Sequence, residues 1–173
     1  TNLKFYIEQG GNYNDITPIR TTTTLGANPF TGNGTTTVTV TAPSHGCVTN
    51  DFVTFSGVTG TYATLLNAEY QVTVIDSNSY TITTASVVAA GATGGAAVSA
   101  AYQINTGPAY AIPLTGWGAG TWSSGAWGVG GTSNTSIRLW SQGNWGEDLI
   151  FGPRGGGMYY WDATTGVTVR GVD

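Results

Sequence analysis

Residues 69–84 read EYQVTVIDSNSYTITT, and this stretch decides the fold class. Tyr70, Val72 and Val74 alternate with polar residues, as do Tyr80 and Ile82, so each run puts its apolar side chains on one face of an extended chain. Between the runs lies Asp76-Ser77-Asn78, a triplet whose short polar side chains bond their own backbone in turns. Two alternating runs around such a triplet predict a β-hairpin.

The same signal recurs on either side. Residues 35–42, TTTVTVTA, place Val38, Val40 and Ala42 on one face and Thr37, Thr39 and Thr41 on the other. Residues 52–55 form a short apolar run. A second hairpin is expected across 91–95, joining 86–90 to 96–104, although its Ala-rich sides leave helix open. Further strands are expected at 137–141, 148–151, 158–161 and 167–170, with turns at 143–146 and 153–157. The best helical spacing, residues 61–70, is short. Thr is abundant and Lys, Glu, Leu and Arg are scarce, which depletes helix formers and favours strands. The expected fold is all-β: a small β-barrel or sandwich module followed by a Gly/Trp-rich β lobe. Composition divides the chain into an N-terminal arm or added strand (1–32), the barrel-like module (33–105) and the lobe (106–173).

Only 8% of the 173 residues are charged, against roughly 25% in an average globular chain. Six Trp, nine Tyr and five Phe supply a core, which sets the chain apart from charge-poor disorder. No apolar run approaches the roughly 18 residues of a spanning helix, so membrane insertion is not expected. The basic residues are Lys4, Arg20, Arg138, Arg154 and Arg170, and the net charge is −4. With no basic patch to follow a phosphate backbone, a nucleic-acid partner is not expected either. Cys47 is the single cysteine, so no disulfide framework exists within the chain. The first residue is Thr1 rather than Met, and no signal-like segment follows, as in a processed form or a piece of something longer.

Residues 77–137 contain no charged side chain. Such a span would be a poorly solvated surface, and burial inside the fold or against partner chains is expected. Trp117, Trp122 and Trp127 stand five apart within it. They are read first as filling a core or a subunit interface, with Trp140 and Trp145 as further interface candidates. An aromatic platform for sugar is the sharper alternative.

Chemistry is sparse. His45 and Cys47 sit two apart in Ser44-His45-Gly46-Cys47. Catalytic Cys/His pairs normally come from distant segments, so this reads as a turn after the 35–42 strand. One His and one Cys cannot complete a zinc site, and no calcium-loop pattern occurs. Asn12-Tyr13-Asn14-Asp15 reads as a turn. Glu147, Asp148 and Asp162 invite comparison with a glycosidase pair, but ion pairs with Arg138 and Arg154 explain them more simply. Gly155-Gly156-Gly157 lacks the Lys-Ser/Thr ending of a phosphate loop. The expectation from these residues is a chain without enzyme activity, metal or cofactor.

The segment RLWSQGNWGEDLI at 138–150, continuing as GPRGGGMYYWD at 152–162, resembles a pattern of tailed-bacteriophage structural proteins, LWS-x-DN-x-GEDL…PRGGGIYYWD. It departs from that pattern at Gly143, where Asp is usual, and at Met158, where Ile is. YNDITPIR at 13–20 resembles the same proteins. Residues 38–82, through SHG at 44–46, NDFVTFSG at 50–57 and LNAEYQV at 66–72, are similar to small β-barrel modules of phage virion proteins. Those modules are likened in fold, not chemistry, to the catalytic-cysteine half-domain of ubiquitin-activating enzymes. The resemblance implies a virion protein of the tail, a fibre or a surface appendage, acting in assembly with other virion proteins and copies of itself, a trimer being the usual fibre number. A receptor-recognition module binding host cell-surface glycan, or a capsid decoration protein, is the alternative it leaves.

Overall fold

The structure, a computed structural model, describes residues 3–108 and 137–173. The chain forms two units, residues 1–17 with 106–173, and residues 18–105. Trp117, Trp122 and Trp127 lie outside the described residues. Among the described residues the fold is all-β, and no helix is long and apolar enough to cross a membrane.

The first unit begins with strands β1 (Tyr6–Gln9) and β2 (Asn12–Asp15), paired antiparallel from Tyr6↔Asp15 to Gln9↔Asn12. Gly10 and Gly11 join them at φ +61° and +84°. Two consecutive positive φ values match the right-handed twist of a tight hairpin, and glycine reaches them without steric cost.

Residues 18–105 build a sandwich. Its strands are β3 (Ile19–Thr24), β4 (Phe30–Gly32), β5 (Thr35–Thr41), β6 (Phe52–Ser56), β7 (Glu69–Gln71), β8 (Thr73–Asp76), β9 (Ser79–Val88), β10 (Gly91–Thr93) and β11 (Ser99–Gln103). One helical turn, α1 (Ala63–Leu66), is all that forms of the helical spacing at 61–70. The five-stranded sheet runs β10-β4-β5-β9-β8 and the four-stranded sheet β3-β11-β6-β7. Val38↔Ile82 and Val40↔Tyr80 pair inward, while Thr37↔Thr83 and Thr39↔Thr81 pair outward. A slip of one residue would turn threonine into the core, so burial fixes the register. Phe30 of one sheet meets Phe55 of the other edge to face at 4.9 Å. Val53, Leu66, Ile82, Val88 and Ala100 complete the same core. Each large apolar side chain buried there contributes about 1.5–3 kcal/mol.

The hairpin at Asp76-Ser77-Asn78 forms, with Asp76 Oδ1 accepting the Asn78 amide at 2.7 Å. Its first arm is shorter than the alternation implies. The chain changes sheet at Val72, so β7 pairs with β6 and β8 pairs with β9. Tyr70, Val72 and Val74 still pack on one core, because both sheets share it. The expected second hairpin does not form. β9 runs on to Val88, β10 pairs with β4, and β11 enters the other sheet between β3 and β6. Gly94 and Gly95, at φ +121° and +86°, redirect the chain, and Asn28 holds Gly95 through both its amide and its side chain. Residues 18–32, grouped in the sequence reading with residues 1–17 as an N-terminal arm or added strand, supply strands β3 and β4 of the two sheets.

The C-terminal part of the first unit contains β12 (Trp140–Trp145), β13 (Asp148–Pro153) and β14 (Tyr159–Trp161), a three-stranded antiparallel sheet in that order. Gly143 lies within β12, and the turn is the two-residue Gly146-Glu147 rather than 143–146. Residues 167–170 are not a strand. Asp162 Oδ1 accepts the Thr164 amide at 2.7 Å and starts a 3₁₀ turn at Ala163–Thr165, and the chain pairs with β14 again only at the Tyr160↔Val172 bridge. Ile16, Phe151 and Trp161 form this unit's core, packed by Phe5, Trp140, Leu149 and Tyr159.

Candidate functional site

His45 and Cys47 meet in the sandwich as parts of a buried polar cluster. Pro43 follows β5, and Ser44 and Gly46 take φ +55° and +62°, turning the loop so that His45 points inward. His45 Nδ1 accepts the Cys47 amide at 3.0 Å, so the ring proton sits on Nε2, which donates to the Asp76 carbonyl at 2.8 Å. The ring meets Tyr80 edge on at 5.0 Å. Arg20 Nη2 donates to the His45 carbonyl at 2.7 Å and to Cys47 Sγ at 3.3 Å. Its guanidinium carbon lies 5.3 Å from the centre of the Tyr102 ring. Asp51 accepts from the Val48 amide at 3.0 Å and from Asn105 at 3.1 Å.

Burial works against ionisation throughout this cluster. Burial pushes the Cys47 thiol up to about 11, with Arg20 offsetting only part of that. Burial also raises Asp51, Tyr80 and Tyr102. A nucleophilic cysteine needs its thiolate and a base able to take its proton. Here both imidazole nitrogens are engaged by backbone groups, and the thiol faces the His45 carbonyl at 3.7 Å. The arrangement anchors the 43–47 loop to β8 and β3. Relative to an ordinary thiol at 9.0, a rise of about two pH units lowers the thiolate fraction at pH 8 about 100-fold. Alkylation by iodoacetamide at pH 8 is therefore expected to be slower by at least that factor in the folded chain than in urea. Equal rates would refute the buried thiol.

The residues expected to form ion pairs do something else. Arg138 is buried, and its Nε donates to Thr106 Oγ1 at 3.1 Å. Arg154 is exposed in the turn after β13. Asp148 accepts from the Tyr160 hydroxyl and from the Ala163 amide, which hold its carboxyl below the usual carboxylate range. Asp162 caps the 3₁₀ turn, and Glu147 lies exposed in the hairpin turn. Among the described residues, neither Arg138 nor Arg154 pairs with Glu147, Asp148 or Asp162. The two-residue turn and the local caps use the carboxylates first. Among the described residues, ion pairs join Asp15 to Lys4 at 3.0 Å and to Arg170 at 3.2 Å. The sequence reading missed them, because Asp15 sat in a stretch read as a turn and its partners lie 11 and 155 positions away.

The two interface candidates within the described residues face opposite ways. Trp140 turns inward onto Phe5 at 5.0 Å, and Trp145 is 69% exposed on the other face of the sheet. Alternation puts Ser141, Gly143, Asp148, Ile150, Gly152 and Tyr160 on that outer face with Trp145. A shallow groove of about 440 Å³ opens there over Gly143 and Gly152, bounded by Ile150 and Met158. A side chain at Gly143 would stand in open space, whereas one at Gly152 would strike the Gly157 carbonyl oxygen at 2.3 Å. The sequence signal for the groove was a pair of glycines in strands, which weaken a strand and leave a gap in its face.

No family model and no curated protein matches this chain. A solved structure titled "Phage phi92 endosialidase" is similar, with a TM-score of 0.41 and 23% identity, over 50% of this chain and 13% of that one. Because that title names an enzyme, the expectation of a chain without enzyme activity is corrected and withdrawn. A likeness of this extent assigns no activity to the chain.

Proposed function

We propose that this chain is a bacteriophage virion component, of the tail, a fibre or another surface appendage, that acts in particle assembly with other virion proteins and copies of itself. The observation that carries the reading is how the phage-like segment 138–162 is used. Trp140, Leu149, Phe151, Tyr159 and Trp161 pack the unit's core. Gly146 turns the β12–β13 hairpin at φ +68°, and Gly152 allows the Gly157 carbonyl to approach closely. The residues that carry the resemblance are thus the ones that build this sheet, as expected of a structural module. Outward threonines along β5 and β9 suit a particle that must persist without repair, since they favour strand geometry without exposing large apolar groups.

Gold-labelled antibody against the chain, applied to purified particles of the phage encoding it, tests this. Label on the tail or its appendages is the expected result. Particles that contain none of the chain would end the reading, and label confined to the head would exclude the tail.

A further inference from the structure

We propose that the outer face of the β12–β14 sheet is a binding site for a neutral saccharide, with Trp145 as the stacking platform and Asp148 as the acceptor for sugar hydroxyls. Trp145 and Asp148 are direct cross-strand partners on this face, and Tyr160 lies on the next strand. Trp145 is 69% exposed and Tyr160 37%. An exposed indole offers a flat apolar surface to the C–H face of a pyranose, and burying that surface is favourable without any charge on the ligand.

The carboxylate is held in place. The Tyr160 hydroxyl donates to Asp148 Oδ2, and the Ala163 amide donates to Oδ1 at 2.9 Å. Each carboxylate oxygen has a second lone-pair direction, so the fixed group can still accept from a ligand hydroxyl. Beside the pair, Gly143 faces open space, and a groove of about 440 Å³ there is lined also by Ile150, Gly152 and Met158. The groove has the size range of small-molecule sites.

Charge selects the ligand class. Glu147 and Asp148 stand together at the Trp145 end of the hairpin. An anionic sugar would meet both carboxylates. A second copy docking face to face about a two-fold axis would oppose carboxylate with carboxylate, which disfavours that contact. A polyol brings only hydroxyl donors and C–H faces.

The test is titration of the full chain with neutral hexasaccharides (malto-, cello-, laminari- and chito-oligomers) and with a sialylated oligosaccharide, followed by saturation-transfer NMR. At least one neutral oligomer is expected to bind below about 10 mM, with the sialylated one weaker. Trp145→Ala should weaken binding by at least about tenfold and Asp148→Asn by several-fold, each with an unchanged circular dichroism spectrum. Tyr160→Phe, which frees the carboxylate, should fall between wild type and Asp148→Asn. No neutral oligomer bound at 10 mM, or binding unchanged in Trp145→Ala, overturns the proposal. So does self-association that Trp145→Ala abolishes while no sugar binds.

Discussion

Replacing Phe151 with alanine is expected to destabilise strongly the unit built from the two ends of the chain and to leave the sandwich as stable as before. Phe151 is 1% exposed and stacks on Phe5 at 4.7 Å and 13°. Its ring also meets Trp140 at 6.1 Å and Tyr159 at 6.2 Å. Gly171 packs so tightly on it that an added Cβ would lie 2.6 Å from the ring. Truncating such an aromatic costs about 3–5 kcal/mol, since it removes transfer energy and leaves a cavity that the sheet cannot fully close. A whole domain is stable by only about 5–15 kcal/mol, and among the described residues Ile16 and Trp161 are the other buried members of this core. All six tryptophans lie outside residues 18–105, so no indole emission from the sandwich overlays that of this unit. Its melting midpoint should fall by more than about 12 °C, while the sandwich transition, followed by far-UV circular dichroism, keeps its midpoint. A fall of less than about 4 °C would mean that Phe151 is not the centre of the core.

The sandwich was largely legible in the sequence because burial acted there with a period of two. Val38 and Val40 faced Ile82 and Tyr80 wherever the alternation was clean, and Asp76-Ser77-Asn78 marked its own turn. What the sequence hid were non-local events. The switch between sheets at Val72 leaves no mark, since Tyr70, Val72 and Val74 face one core from two sheets. β11 was read as a hairpin arm with helix left open, and its neighbours were not visible: Ala100 and Tyr102 give no hint that β3 and β6, rather than β9, lie beside them. Asn28 holding Gly95 across 67 positions decides that path.

The candidate sites were harder to read for the same reason. The His45–Cys47 spacing was visible, but the role of the cluster depends on Arg20 and Asp76, which lie 25 and 31 positions from His45. Opposite charges at 138–162 looked sufficient to predict ion pairs. Local donors won instead, since a backbone amide or a tyrosine on the adjacent strand reaches Asp148 and Asp162 without ordering a long arginine side chain. Trp145 was singled out for an interface, but its alternation against Trp140 became meaningful only once β12 was known to continue through Gly143.

Asp15→Asn is expected to destabilise the same unit at neutral pH and to reduce its sensitivity to acid. Asp15 Oδ2 lies 3.0 Å from Lys4 Nζ and 3.2 Å from Arg170 Nη1, with its side chain 17% exposed and that of Lys4 9%. Its Oδ1 accepts the Thr17 amide at 2.9 Å. The carboxylate therefore links the entry to β1 with the last residues of the chain, where Arg170 also donates to the Thr17 carbonyl and Gly171 to the Ile16 carbonyl. Removing one partner from a largely buried pair costs about 3–5 kcal/mol, and the 27% exposure of Arg170 lowers the expectation to about 2–4 kcal/mol. Burial alone would raise the Asp15 carboxyl, but the Thr17 hydroxyl and amide, Lys4 and Arg170 outweigh it and hold it below the ordinary carboxylate value. A depressed folded value means that the stabilisation is fully present above the unfolded value near pH 4 and is lost as pH falls through the folded one. Wild type should accordingly lose stability between about pH 5 and pH 2, as the unfolded chain takes up the proton first. The side-chain amide of the variant takes up no such proton, so the variant should start lower at pH 7 and lose less on acidification. Some loss remains, because Asp148 is depressed in the same unit by Tyr160 and the Ala163 amide. Urea unfolding followed by tryptophan emission at pH 7 and pH 3 measures both quantities. An equal loss in wild type and variant would show that Asp15 does not carry the acid sensitivity of this unit.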